Sequence, residues 1–178
     1  MPNIEIRLQH PDTRRDAFAE VISTYSEQLY WQIRRLVKSH EDTDDLLQNT
    51  FMKAWMAIDN FRGDAKLSTW LHKIALNEAL TFLDKQKRHA MDSIDDEENH
   101  SIHSIEADEW IDGDEAAAAL RHAIESLPTK QQLVFNMKYF DEMKYEEIAE
   151  ITGTSVGALK ASYHLAVKKI EQILQSSN

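Results

Sequence analysis

The side chains able to do chemistry are spread along this chain in a way that suits binding better than bond-making. Eight histidines, His10, His40, His72, His89, His100, His103, His122 and His164, are scattered over 178 residues. None joins a second His and a Glu at the HExxH spacing that sets zinc ligands on one helical face. His100 and His103 share an acidic stretch and could hold a metal only weakly. With Cys at zero there is no thiolate nucleophile, disulfide framework or zinc-finger ligation, a usage that fits the cytoplasm. No Gly-rich phosphate loop occurs, and Gly63 and Gly153 stand alone as turn residues. The sequence therefore predicts no catalytic residue, no metal, no cofactor and no enzyme.

Three other constellations suit recognition. The loop 60–68 places Phe61, Arg62 and Lys66 beside Trp70, and Lys85, Lys87, Arg88 and His89 close the helix that follows. Rings stack on exposed bases while cations neutralise phosphates. The same Phe61 and Trp70 also fit a core, and the basic end also fits a favourable charge at a helix C-terminus. The segment HEDTDDLLQNTFMKAW sets Asp42, Asp44, Asp45 and Gln48 as a polar ridge beside a hydrophobic stripe. Such a ridge is either a solvated face or a docking surface for a basic partner. Finally, YEEIAEITGTSVGALKASYHLAVKKI has the grammar of a helix-turn-helix. Ile148 and Ala149 face inward, Gly153 turns the chain, and a longer helix starts near Ser155. Gly157, Ala158, Lys160, Ala161 and His164 lie on or near its exposed side, where the helix would enter a major groove. Lys160 can reach a phosphate or base edge, and Lys168 and Lys169 can pair with phosphates. A plain helical hairpin with a solvated lysine face has the same periodicity.

The elements that must position these residues are all helical. Only 4 Gly and 3 Pro argue for long helices with few tight turns. Apolar steps of three and four from Phe18 to Val37 mark one helix over 16–37, and Leu46, Leu47, Phe51, Ala54, Trp55 and Ile58 mark another over 43–58. Ser68 or Thr69 is a candidate cap for a third helix running to about Lys87. Later, the alanines 116–119 open a helix that Leu127-Pro128 breaks, and Pro128 suits the start of a helix to about Phe140. A short helix 145–151 and a final helix from Val156 to about Leu174, capped by Ser155, complete the chain. The fold class is all-α: two small helical domains, 10–90 and 116–178, joined by an acidic flexible linker, 91–115. No apolar run approaches a membrane span, and the start MPNIEIRLQH is no secretory signal.

Charge agrees with that division. The net charge is -11, which would discourage a nucleic-acid partner if it were spread evenly. Residues 1–90 hold 13 acidic and 13 basic side chains, and residues 121–178 hold 7 of each. Residues 91–120 hold 11 acidic and none basic, so the whole excess sits in one 30-residue piece. Dense like charge repels itself when compact, so this piece is expected to be an extended connector.

In order and spacing these segments resemble a bacterial RNA polymerase sigma factor of the extracytoplasmic-function group, over nearly all of 12–175. The core-binding signature of that family corresponds to Asp42-Thr43-Asp44-Asp45-Leu46-Leu47-Gln48-Asn49-Thr50-Phe51 followed by Lys53-Ala54-Trp55. The promoter-melting segment corresponds to Phe61-Arg62-Gly63-Asp64 and to 69–79, and the second domain to 127–131, Val134-Phe135, 145–149 and 155–160. The resemblance implies a dissociable promoter-specificity subunit with three partners: core RNA polymerase, promoter DNA and an anti-sigma factor, with no membrane insertion by this chain. It implies a polymerase-binding ridge of Asp42, Asp44, Asp45, Leu46, Gln48, Asn49 and Phe51. It implies capture of the opened -10 strand by Phe61, Arg62, Lys66, Trp70, Lys73, Asn77, Lys85, Lys87 and Arg88. The -35 element would be read by Ser155, Gly157, Ala158, Lys160, Ala161, His164 and Lys168. Leu76 and Asp84 stand where relatives commonly carry basic residues, and Ala161-Ser162 replaces a common Ser-Arg. The alternative is an all-helical adaptor that binds no promoter.

Overall fold

The computed structural model describes residues 3–94 and 114–177, and these form two helical units, each with its own core. Among the described residues there is no strand.

In the first unit, α1 (Ile4–Gln9) precedes α2 (Pro11–Val37), α3 (His40–Met56), a 3-10 turn (Ile58–Asn60) and α4 (Leu67–Ile94). Pro11 suits the first turn of α2, where no amide donor is needed. The stripe predicted for α2 is buried at Phe18, Val21, Leu29, Ile33, Leu36 and Val37, together with Ala17, but leaves Ile22 38% exposed. It packs against Leu46, Phe51 and Ala54 of α3 and against Leu71, Ala75, Leu76 and Ala79 of α4. The α2–α3 turn is made by Lys38 in the left-handed region at φ 72, whose N–H bonds Arg34 O. The buried Arg34 guanidinium returns to the Lys38 carbonyl. The Ser39 hydroxyl then caps α3 by accepting from the Asp42 N–H at 3.3 Å.

Three sequence expectations need correction here. The first unit begins before residue 10, because α1 docks through the fully buried Leu8. At six residues, α1 is too short to show a period or to persist alone, so only its packing sustains it. Neither Ser68 nor Thr69 caps α4: the helix already starts at Leu67, the Lys66 carbonyl accepts the Trp70 N–H at 3.0 Å, and Thr69 is buried. Finally, α4 continues past Lys87 to Ile94, because no Gly or Pro interrupts it and propagation costs less than termination. Residues 91–94 are thus helical, and the remaining bulk of the expected connector, 95–113, lies outside the described residues together with His100 and His103.

The second unit comprises α5 (Glu115–Glu125), α6 (Thr129–Phe135), α7 (Tyr145–Thr152) and α8 (Val156–Ser176). Asp114 caps α5 by accepting the Ala116 N–H at 3.0 Å. Ala123, Ile124, Leu127, Phe135, Ala166 and Ile170 form the core, with Leu120, Tyr163, Val167, Ile173 and Leu174 packed on it. The helix expected to reach Phe140 instead widens after Phe135 into one π turn, Asn136–Phe140, closed by Asp141 N–H to Asn136 O at 3.2 Å. The wider turn lets four successive residues, Val134, Phe135, Asn136 and Met137, all be buried, which an ordinary helical stripe does not allow.

Candidate nucleic-acid interface

The helix-turn-helix is built by local chemistry. Glu147 accepts the Lys144 backbone N–H at 3.1 Å and so anchors the start of α7. Gly153 ends that helix at φ 70 with its N–H on Ala149 O at 2.8 Å, a conformation that suits glycine. Two residues on, Ser155 caps α8: its hydroxyl accepts the Ala158 N–H at 3.2 Å. Leu159, Ala166 and Ile170 turn inward, which leaves Ser155, Gly157, Ala158, Lys160, Ala161, His164 and Lys168 all exposed. Ser155 is occupied as a cap. The spacing of Gly157, Lys160, Ala161, His164 and Lys168 puts them on one outward face.

That face has two features the sequence did not disclose. Tyr145, at the start of α7, lies beneath two ammonium groups: Lys138 Nζ is 4.6 Å and Lys160 Nζ 5.8 Å from its ring centre. Burial, followed by the nearby Tyr163, pushes the Tyr145 hydroxyl above its ordinary value. The second feature is Gly157, where an added Cβ would meet nothing within 4 Å. The protein's own packing does not require a glycine there.

In the first unit, Lys66 just before α4 and Trp70, Lys73 and Asn77 within it fall at steps of four, three and four, which align them along one edge. Arg62, Lys66, Lys73, Asn77, Lys85, Lys87 and Arg88 are exposed and Trp70 is half-buried. Phe61 needs correction as a base-stacking candidate. It is only 3% exposed, with its ring packed on Trp70 at a 5.1 Å centroid distance and 40° tilt. The loop's apolar content was spent on the core, so Phe61 anchors the loop while the residues after it are displayed. Leu76 is likewise buried at 3%. Gly63 turns the loop at φ 79.

The ridge on α3 divides in the same way. Asp44, Asp45, Gln48 and Asn49 are exposed and Asp42 is half-buried. Leu46 and Phe51 are 6% and 8% exposed. Those two are core residues that shape the ridge from below and do not form its surface. His40 bridges the start of the ridge, with Nε2 3.3 Å from Asp44 Oδ2 and Nδ1 2.5 Å from the Tyr30 hydroxyl. At the other end, Lys53 pairs with Glu78 and ties α3 to α4. Sequence reasoning missed Met52 and Met56, which are 61% and 72% exposed and extend the line of Asp45, Gln48 and Asn49. The signal was available, since both methionines fall on the polar side of the α3 period. Flexible thioethers there suit a surface that adapts to a partner. Among the described residues, no group of His, Asp and Glu could hold a metal ion.

Known proteins match both units. A family model for sigma-70 region 2 matches residues 21–89, and one for sigma-70 region 4 matches residues 117–170. The RNA polymerase sigma-H factor of Pseudomonas aeruginosa is 31% identical over 95% of this chain and 91% of its own length. The ECF RNA polymerase sigma factor SigW of Bacillus subtilis is 31% identical over 84% of each chain. The ECF sigma-E factor of Escherichia coli is 30% identical over 95% of this chain and 91% of its own. Among solved structures, the sigma factor RpoE of Bartonella quintana, in complex with the anti-sigma factor NepR, has a TM-score of 0.75. It is 24% identical, with 90% of this chain and 98% of that chain covered. CnrH, in complex with the cytosolic domain of CnrY, has a TM-score of 0.74 at 20% identity, covering 98% and 97%. Two sigma-70 regions in order, relatives matched over 84–91% of their own length and an outward-facing helix-turn-helix agree: the chain belongs to the ECF family of RNA polymerase sigma factors.

Proposed function

We propose that this chain is a promoter-specificity subunit that binds core RNA polymerase through α3 and directs initiation at promoters with -35 and -10 elements. The observation that carries this reading is the pairing, on one chain, of two separate exposed surfaces whose chemistry suits DNA. One is a cationic edge on α4 beside a half-buried Trp70, and the other is an exposed recognition helix at Gly157–Lys168. A duplex reader alone needs only the second. Capture of an opened strand adds the first, where each held base offsets part of the cost of unstacking.

In this reading α1–α4 do the work of region 2 and α5–α8 that of region 4. The exposed Asp45, Gln48, Asn49, Met52 and Met56 meet the polymerase. Arg62, Lys66, Lys73, Asn77, Lys85, Lys87 and Arg88 follow the -10 strand, with Trp70 behind them. Gly157, Ala158, Lys160, Ala161, His164 and Lys168 read the -35 duplex. The chain makes and breaks no phosphodiester bond; the polymerase does that chemistry. No described helix is long and apolar enough to cross a membrane, and the chain works where polymerase and chromosome meet, in the cytoplasm.

An anti-sigma factor is the partner that would switch it off. RpoE and CnrH, with matching folds, are each held by a second protein, and here the exposed Met52, Trp55 and Met56 offer apolar surface of the kind such a partner would cover. Run-off transcription with purified core polymerase on genomic fragments tests the main reading. Discrete promoter-directed products are expected, and failure to bind core or to initiate from any fragment refutes it.

A further inference from the structure

We propose that the turn between α1 and α2 is a brace for the strand-capturing loop, with Gln9 and Arg14 as positioning residues. This rests on the reading of residues 61–66 as part of the -10 surface. Gln9 and Arg14 lie outside the span matched to region 2, which begins at residue 21.

Two tethers run from the turn to the loop. The Gln9 side-chain amide donates to the Phe61 carbonyl at 2.6 Å, across 52 positions of sequence. Arg14 Nη2 pairs with Asp59 Oδ1 at 2.9 Å, while its Nε donates to the Leu8 carbonyl at 2.8 Å. One guanidinium therefore grips the end of α1 and the 3-10 turn before the loop at the same time. The turn is itself immobilised. The Thr13 hydroxyl donates to the Arg7 carbonyl at 2.8 Å, and Arg7 holds both Glu20 oxygens, at 2.8 Å and 2.9 Å. Leu8 is fully buried.

The loop needs such support. Phe61 is held by its ring on Trp70, by its N–H on Ile58 O at 3.2 Å, and by Gln9 on its carbonyl. The chain then turns at Gly63 in the left-handed region, a residue with many alternative conformations. Arg62, Asp64 and Lys66 are exposed around it. Fixing the Phe61 peptide removes freedom just before the flexible point, so the displayed side chains meet a base in one geometry and not in many. Pre-organisation of this kind raises affinity by lowering the ordering cost at the moment of binding.

The test uses the full chain, with trypsin as a local reporter. The bonds after Arg62 and Lys66 lie in the braced loop, and those after Lys85, Lys87 and Arg88 serve as reference sites. Gln9→Glu keeps the shape but cannot donate, whereas Gln9→Lys keeps a donor. Loss of one net hydrogen bond should raise native-state cleavage after Arg62 and Lys66 by roughly 2- to 12-fold in Gln9→Glu. Gln9→Lys should restore protection, and the reference sites should not change. Unchanged cleavage in Gln9→Glu overturns the brace, and so does an equal rise at all sites, which would report global unfolding.

The second arm measures holoenzyme binding to a pre-melted promoter fork taken from the run-off experiment, intact or with the captured base made abasic. Wild type should favour the intact strand, and Gln9→Glu should shrink that preference while binding the abasic strand as wild type does. Equal weakening on both strands overturns the positioning role. If wild type shows no preference, the base-capture reading fails, and the proteolysis arm still decides whether the brace exists.

Discussion

Gly157→Ala should stabilise the second unit and weaken promoter binding together. Glycine inside a helix costs about 0.5–1 kcal/mol relative to alanine, and the lower end applies in a first turn. Gly157 is the second residue of α8, and a Cβ built there meets nothing within 4 Å. The free protein therefore carries this cost without a packing reason. At about 0.5 kcal/mol the gain should raise the unit's melting temperature by about 2–4 °C, measured by calorimetry on the full chain. If α8 lies in a major groove with its first turn against the bases, the added methyl must displace something. Overpacking at such a contact costs about 1–3 kcal/mol, or about 5- to 150-fold in affinity for a -35 duplex. Fluorescence anisotropy with holoenzyme and a labelled promoter duplex reads that loss, and a core-binding titration should show none. Refutation is simple to state: a stabilised variant that binds duplex as wild type does would mean the first turn of α8 does not approach DNA closely.

Other substitutions test separate parts of the reasoning. Lys160→Ala should weaken -35 duplex binding and lower its salt slope by about 1 while core binding is retained; equal loss of both contradicts the assigned role. Lys38→Gly relieves a left-handed non-glycine residue at φ 72 and should stabilise the first unit by about 0.5–1 kcal/mol in urea unfolding, since αL strain slightly outweighs the added chain entropy. A stability loss there would mean that Lys38 side-chain packing dominates. Because the folded Tyr145 hydroxyl is held above 10.0, the fold favours the neutral phenol. Its contribution is complete below pH 10.0 and is lost as pH rises through the folded value. Alkaline unfolding followed by helicity should therefore be shallower in Tyr145→Phe; an identical profile would remove Tyr145 from the linkage.

Much of the architecture was readable from period and punctuation. The stripes from Phe18 to Val37 and from Leu46 to Ile58, apart from the exposed Ile22 and Trp55, the break at Leu127-Pro128, the glycine turn at 153 and the Ser155 cap are local signals. Each works within a turn or two of helix, so a linear reading captures it. The exposed face of α8 followed for the same reason, because once Leu159, Ala166 and Ile170 turn inward the rest must face out. The all-helical class and the confinement of the charge excess to 91–120 were likewise properties of sequence alone.

Tertiary structure decided which of two chemically equal fates each amphipathic residue took. Phe61 fits base stacking and core packing equally by type, and only the position of Trp70 puts it inside. Leu46 and Phe51 were assigned to a surface and lie beneath it, while Met52 and Met56, apolar by composition, remain outside. Six residues cannot nucleate a helix unaided, so α1 exists only because Leu8 has a cavity to fill and Arg7 a partner in Glu20. The π turn after Phe135 answers a demand to bury four successive side chains, which no local propensity encodes. Gln9 meets Phe61 and Arg14 meets Asp59 across long stretches of chain. Pairings at that separation are fixed by how the helices pack, and no spacing rule reads them from the line of residues.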